Sequence, residues 1–179
     1  MKSRKLPSTD RQTIVVLDDE ENALMFFKQI LEEAFSDCNL KFYTEPSKDF
    51  FNFIDNNHVD VFIMDIRLGN EKDGLQISQE LICNKRGSIF LFVSGYEYDT
   101  DSFCHLCGKC VYDFLSKPID LQEFVIVVST LLNIASSYKI SFKNTRIKPR
   151  ESQLDELRKG YLKLIEEDRI LINRLKQLT

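Results

Sequence analysis

No apolar stretch in these 179 residues approaches the ~20 that a membrane-crossing helix requires, and Met1 to Lys5 do not lead into an apolar export segment. No membrane association and a cytoplasmic location are therefore expected. Cysteine is present in the wrong number for a disulfide framework. Cys38, Cys83, Cys104, Cys107 and Cys110 make five, and an odd count without an export signal argues for reduced thiols. Histidine is scarcer still, with only His58 and His105, so residues 139–179 lack the side chain that a phosphotransfer helix would need. That segment is also too short for a second hydrophobic core or for a helix-turn-helix output module, which counts against nucleic-acid binding.

Hydrophobic residues at 43% and charged residues at 29% suit a globular chain with one principal core. The net charge of −4 conceals a division. Residues 1–138 carry 13 Lys and Arg against 22 Asp and Glu, a balance of −9, whereas residues 139–179 carry 11 against 6, a balance of +5. Two parts with different jobs are implied.

Thr13 to Leu17 form an apolar, β-branched run that stops at the acidic residues Asp18 to Glu21, as a buried strand does on meeting a polar loop. Ala23, Phe26, Phe27, Ile30, Leu31 and Ala34 then repeat at helical spacing, with the preceding carboxylates placed to suit the helix dipole. The alternation continues through strands at Leu40 to Tyr43, Val59 to Met64, Ser88 to Val93 and Val111 to Leu115. Between and after these come helices at Pro46 to Asn56, Asp73 to Asn84, Tyr98 to Cys107 and Asp120 to Ser137. Five strands alternating with five helices predict an α/β fold whose parallel sheet is covered on both faces.

In such a sheet, ligands bind beyond the carboxyl ends of the strands. Four of the five expected strands end there in reactive or polar residues: Asp18 and Asp19, then Asp65, then Ser94, then Ser116 running into Lys117 and Pro118. Asp18, Asp19 and Asp65 would crowd negative charge together, which is costly without a divalent cation, and all-oxygen ligation favours Mg2+ over zinc. A cation there would offset the repulsion between Asp65 and an incoming phosphoryl group. Lys117 could pair with one phosphoryl oxygen and Ser94 with another. Any one of these residues alone would more ordinarily be a turn or helix cap; it is the five together that point to phosphoryl transfer.

This ordered set resembles the receiver domain of two-component response regulators over residues 12–138. The resemblance is carried by Asp18 and Asp19, Asp65 at the end of the third strand, Asp73 and Gly74 opening the next helix, Ser94, and Phe114 to Pro118. It implies a flavodoxin-like sheet of order 2-1-3-4-5. It implies that Asp65 is the phosphoacceptor, taking its phosphoryl group from a sensor histidine kinase or phosphotransfer protein. It also implies a Mg2+ site of Asp19, Asp65 and the backbone carbonyl of Arg67, with Asp18 assisting through water. Such a domain is a switch, not an enzyme in the ordinary sense, although it takes part in its own phosphorylation and dephosphorylation. Ser94 and the switch aromatic Phe114 would respond to the phosphoryl group and remodel the face read by a downstream protein. Arg67 and Tyr96 would tune access of water.

Three features depart from the family pattern. Phe114 lacks the hydroxyl of the commoner tyrosine. Gly69 stands where the family usually has proline, which implies a more flexible loop. Cys104, Cys107 and Cys110, with His105, supply enough soft ligands for zinc or an iron–sulfur cluster. Structural zinc sites, however, usually pair two separated knuckles, and receivers carry no metal at this place, so free or buried thiols are the favoured reading.

Residues 139–150 read as a basic linker, with Lys143, Arg146, Lys148 and Arg150 and no acidic residue. In residues 151–179, Leu154, Leu157, Tyr161, Leu164, Asp168, Leu171, Leu175 and Leu178 occupy successive a and d heptad positions. This amphipathic helix, with an apolar stripe of roughly 37 Å, suits a coiled coil that makes the protein a homodimer, or docking on the receiver's own surface. The function expected is a response regulator that switches protein–protein contacts. Two alternatives are a DNA-binding regulator truncated before its output domain and a haloacid-dehalogenase-type phosphatase. The latter needs Asp two residues after its strand-one nucleophile, where this chain has Glu20 after Asp18.

Overall fold

The computed structural model describes residues 11–69, 73–84, 89–95 and 110–143, together with Lys163 and Ile170. In chain order the elements are β1 (Thr13–Leu17), α1 (Glu21–Ala34), β2 (Asn39–Tyr43), α2 (Lys48–Asn56), β3 (Val61–Asp65), α3 (Gly74–Asn84), β4 (Ile89–Ser94), β5 (Val111–Ser116) and α4 (Leu121–Lys143). The five strands form one sheet of order β2-β1-β3-β4-β5, with every pairing parallel. The helix expected at Tyr98 to Cys107, Tyr96, the cysteines Cys104 and Cys107, and the heptad stripe of residues 151–179 lie outside the described residues, apart from helical Lys163 and Ile170.

The central strands β1, β3 and β4 are buried along their whole length, which is why they read as continuous apolar runs. Side chains nevertheless alternate between two cores. On one face, Ile14, Val16, Ile63, Leu91 and Val93 meet Phe27 and Leu31 of α1 and Phe124, Val128 and Leu131 of α4. On the other, Val15, Leu17, Met64, Phe90 and Phe92 meet Phe50 and Ile54 of α2 and Leu75, Ile77 and Leu81 of α3. Phe62, Phe90 and Phe92 stack in sequence across this second face, with ring centroids 5.1 and 5.7 Å apart.

Local chemistry sets the helix starts. The Ser47 hydroxyl accepts the Phe50 amide to cap α2, and Asp120 accepts the Glu123 amide to cap α4. At α3 the Asp73 carboxylate accepts the Gln76 amide while Gln76 Oε1 accepts the Asp73 amide, a reciprocal capping box. Most boundaries shift from expectation by one or two residues, and two of the differences are instructive. Val59 and Asp60 precede β3 because Asp60 uses its side chain, accepting the Thr13 amide at 2.8 Å, where a strand residue would use its carbonyl. Helix α4 continues past Ser137 to Lys143, into the segment read as a linker. No helix among the described residues is long and apolar enough to cross a membrane.

Phe124 is fully buried, its ring centroid 5.4 Å from that of Phe27, so it ties α4 to α1 across the first core. Phe124→Ala is expected to cost about 3–5 kcal/mol of unfolding free energy. Urea titration checks this, and a loss below ~1 kcal/mol would contradict the packing described.

Candidate functional site

The parallel order brings the carboxyl ends of β1, β3, β4 and β5 to one edge. There β1 delivers Asp18 and Asp19, β3 ends at Asp65, β4 ends at Ser94, and β5 leads through Ser116 to Lys117. Asp18, Asp65 and Ser94 are buried, Asp19 is exposed, and Lys117 is intermediate. One oxygen from each of Asp18, Asp19 and Asp65 lies within 4.8 Å of the others. The set contains hard oxygen donors and neither nitrogen nor sulfur, a chemistry that fits Mg2+.

Lys117 is the local counter-charge. Its Nζ donates to Asp65 Oδ2 at 2.8 Å and to Asp18 Oδ2 at 2.9 Å, and lies 3.8 Å from Glu20 Oε2. The backbone fixes where this side chain starts, because the Lys117 amide donates to the Ser94 carbonyl at 2.7 Å. The Lys117–Pro118 peptide that follows is cis. The second oxygen of each buried carboxylate is held by an amide two residues on: Asp18 Oδ1 by Glu20 at 2.9 Å and Asp65 Oδ1 by Arg67 at 3.0 Å.

Burial opposes charge on Lys117, but its hydrogen bonds to Asp65 and Asp18, and their charges, outweigh burial and hold the ammonium above its ordinary 10.5. For Asp18 the balance goes the other way. Burial, with the neighbouring Asp65 charge, pushes its carboxyl above 3.8 despite the hydrogen bonds from Lys117 and the Glu20 amide. The edge thus holds more negative charge than one lysine neutralises.

Of the other residues singled out by sequence, Ser94 stands one position beyond the Asp65–Val93 register pair and opposite Ser116. Phe114 is half-buried on β5, opposite Phe92, and packs against the second core. Arg67 is exposed and joins the edge through its backbone amide.

Two glycines carry roles that the sequence reading missed. Gly74 donates its amide to the Ile66 carbonyl at 2.8 Å, and a Cβ there would collide with the Asp65 carbonyl oxygen. The backbone that carries Asp65 can approach α3 only over a residue without a side chain. The sequence signal was the Asp73 and Gly74 pair itself. Gly69 donates its amide to Asp19 Oδ2 at 2.8 Å. No letter of the sequence announces a backbone donor, although the missing proline was a hint.

Because the Asp18 carboxyl is raised in the fold, its ionisation is harder there than in the unfolded chain. Its contribution to stability is full below 3.8 and falls as pH rises through the folded value. In metal-free buffer, urea melts from about pH 4 to pH 7 are therefore expected to show the stability difference moving in favour of Asp18→Asn over wild type as pH rises. A difference that is flat across this window would contradict the raised carboxyl.

Known proteins share both this sequence pattern and this fold. The family model described as response regulator receiver domain matches residues 14–129. Regulatory protein AtoC of Escherichia coli (strain K12) is 27% identical over 128 residues, covering 70% of this chain and 26% of that protein. Transcriptional regulatory protein ComA of Bacillus subtilis (strain 168) is 30% identical over 123 residues, covering 67% of this chain and 56% of that protein. The chain thus spans about a quarter and about half of the regions that make up these two relatives. A solved signal receiver domain of an HD domain-containing protein from Pseudomonas fluorescens Pf-5 superposes with a TM-score of 0.62 at 20% identity, covering 75% of this chain and 96% of that one. With a flavodoxin-like sheet in the order 2-1-3-4-5 and a family match over most of its length, this chain belongs to the response-regulator receiver domain family.

Proposed function

We propose that the protein is a phosphorylation switch in which Asp65 is the phosphoacceptor. The observation that supports this reading most directly is the convergence of Asp18, Asp19 and Asp65 with the Lys117 ammonium at the carboxyl edge of the sheet. A carboxylate oxygen of Asp65 attacks the phosphorus of a phosphohistidine on a sensor kinase or phosphotransfer protein. The P–N bond breaks, its electron pair leaves with the imidazole, and an acyl phosphate remains on Asp65. Lys117, already 2.8 Å from Asp65, exchanges part of that ion pair for a phosphoryl oxygen. Ser94, at the end of the adjacent strand, supplies a hydroxyl to a second oxygen.

Asp19, Asp65 and the backbone carbonyl of Arg67 would hold Mg2+, with Asp18 acting through water. When bound, Mg2+ supplies positive charge against the repulsion between the phosphoryl oxygens and Asp65. The Arg67 amide and the Glu20 amide keep one oxygen of Asp65 and one of Asp18 fixed, so little reorganisation is needed at the moment of transfer. Redirecting Ser94 and Lys117 disturbs the β4–β5 edge, where Phe114 packs beside Phe92, and this shifts the population of surfaces offered to a downstream protein. The basic segment 139–150, which begins as the last turns of α4, connects the receiver to residues 151–179, a helix for self-association or docking. The setting is cytoplasmic. A second reading follows from the greater length of the relatives: the chain is the receiver part of a DNA-binding regulator.

Incubation with acetyl phosphate and Mg2+ is expected to give a phosphoryl adduct by intact mass in wild type, none in Asp65→Asn, and none in wild type with excess chelator. An adduct of equal yield in Asp65→Asn would sink the assignment of the acceptor. Light scattering on the same samples is expected to show a larger particle after phosphorylation, whereas a DNA-binding module encoded in continuous frame with this chain would favour the second reading.

A further inference from the structure

We propose that Gly69 is a positioning residue for the cation site, its backbone N–H holding the Asp19 carboxylate in a ligating orientation; this rests on the Mg2+ reading above. Asp18 and Asp65 are buried and share the Lys117 ammonium. Asp19 is exposed and is held at its Oδ2 by the Gly69 amide at 2.8 Å, a contact between residues fifty positions apart in the chain. An exposed carboxylate on a loop ordinarily samples several rotamers, and a backbone donor that fixes one oxygen leaves the other directed and free for a cation.

The position demands two properties at once. Proline has no N–H and cannot make the bond. Alanine, or any other residue with a side chain, keeps the N–H but places a Cβ 2.9 Å from the same Asp19 oxygen, so the ligand itself must move. Glycine alone satisfies both. The bond also reaches beyond Asp19. The Arg67 amide is tied to Asp65 Oδ1 and the Gly69 amide to Asp19 Oδ2, so the span Arg67 to Gly69 is fastened at both ends to ligating carboxylates. The Arg67 carbonyl lies within that span. Gly69 thereby links the loop after β3 to the loop after β1, and sets ligands from the two loops at a fixed separation before any cation arrives.

The test combines calorimetric Mg2+ titration of wild type, Gly69→Ala and Gly69→Pro with amide NMR of the metal-free protein, wild type and Asp19→Ala. Mg2+ affinity is expected to fall roughly tenfold or more in Gly69→Pro, with Gly69→Ala between it and wild type, the range usual for a group that orients a metal ligand. The Gly69 amide proton is expected downfield in wild type and shifted upfield in Asp19→Ala, a signature that loss of fold stability alone does not produce. If wild type binds Mg2+ and both variants match it, the positioning role is wrong while the cation site stands. If the Gly69 amide does not respond to Asp19→Ala, the tether is absent. If wild type binds no Mg2+, the cation site itself is refuted. Should the proline variant fail to fold, the alanine variant and the amide shift decide.

Discussion

The ammonium of Lys117, clamped between Asp18 and Asp65, is the interaction around which the carboxyl edge is arranged. Two buried carboxylates at the ends of neighbouring strands repel each other in a medium far less polar than water, and a structure that buries them must supply positive charge close by. The lysine comes from the end of β5, with β4 lying between it and β3. The lysine side chain, the aspartate that reaches to meet it and the hydrogen bond between them together bridge those two strand spacings, roughly 10 Å, while the lysine backbone stays in register through the Ser94 carbonyl. The parallel sheet is thus a means of delivering three acids and one base, distant in sequence, to a single place.

That arrangement leaves an imbalance. The carboxylates around Lys117 hold it more firmly protonated than in water, and burial makes Asp18 less willingly ionised, while Asp18, Asp19 and Asp65 together face this one ammonium. A doubly charged cation would find there an environment already prepared for it. The amide donors of Glu20, Arg67 and Gly69 limit how far the carboxylates can relax away from one another.

Most of the scaffold was legible in the letters. Thr13 to Leu17 and Ile89 to Val93 are apolar runs that stop at polar residues because their strands are buried on both sides and end at the functional edge. Asp18, Asp19, Asp65 and Lys117 could be read as a group because each follows such a run. What escaped was written in the backbone or in the absence of a signal. Asp60 looked like a strand residue until its carboxylate was seen to cap the Thr13 amide. The amide of Gly69 has no side-chain signature. Neither glycine nor proline occurs between Ser136 and Lys143 to stop α4, so the helix runs on into the residues read as linker.

The length of α4 has a mechanical consequence. It starts beside the cluster of acids, just after Lys117, and runs back against the strand direction until the Leu132 carbonyl meets Gln12, ahead of β1. By then it has traversed the sheet from one rim to the other, and the turns from Asn133 to Lys143 add roughly 16 Å. The Lys143 end of α4 therefore lies at the opposite pole from the acidic cluster. A rearrangement at the acidic cluster would reach that end through the helix and the core beneath it.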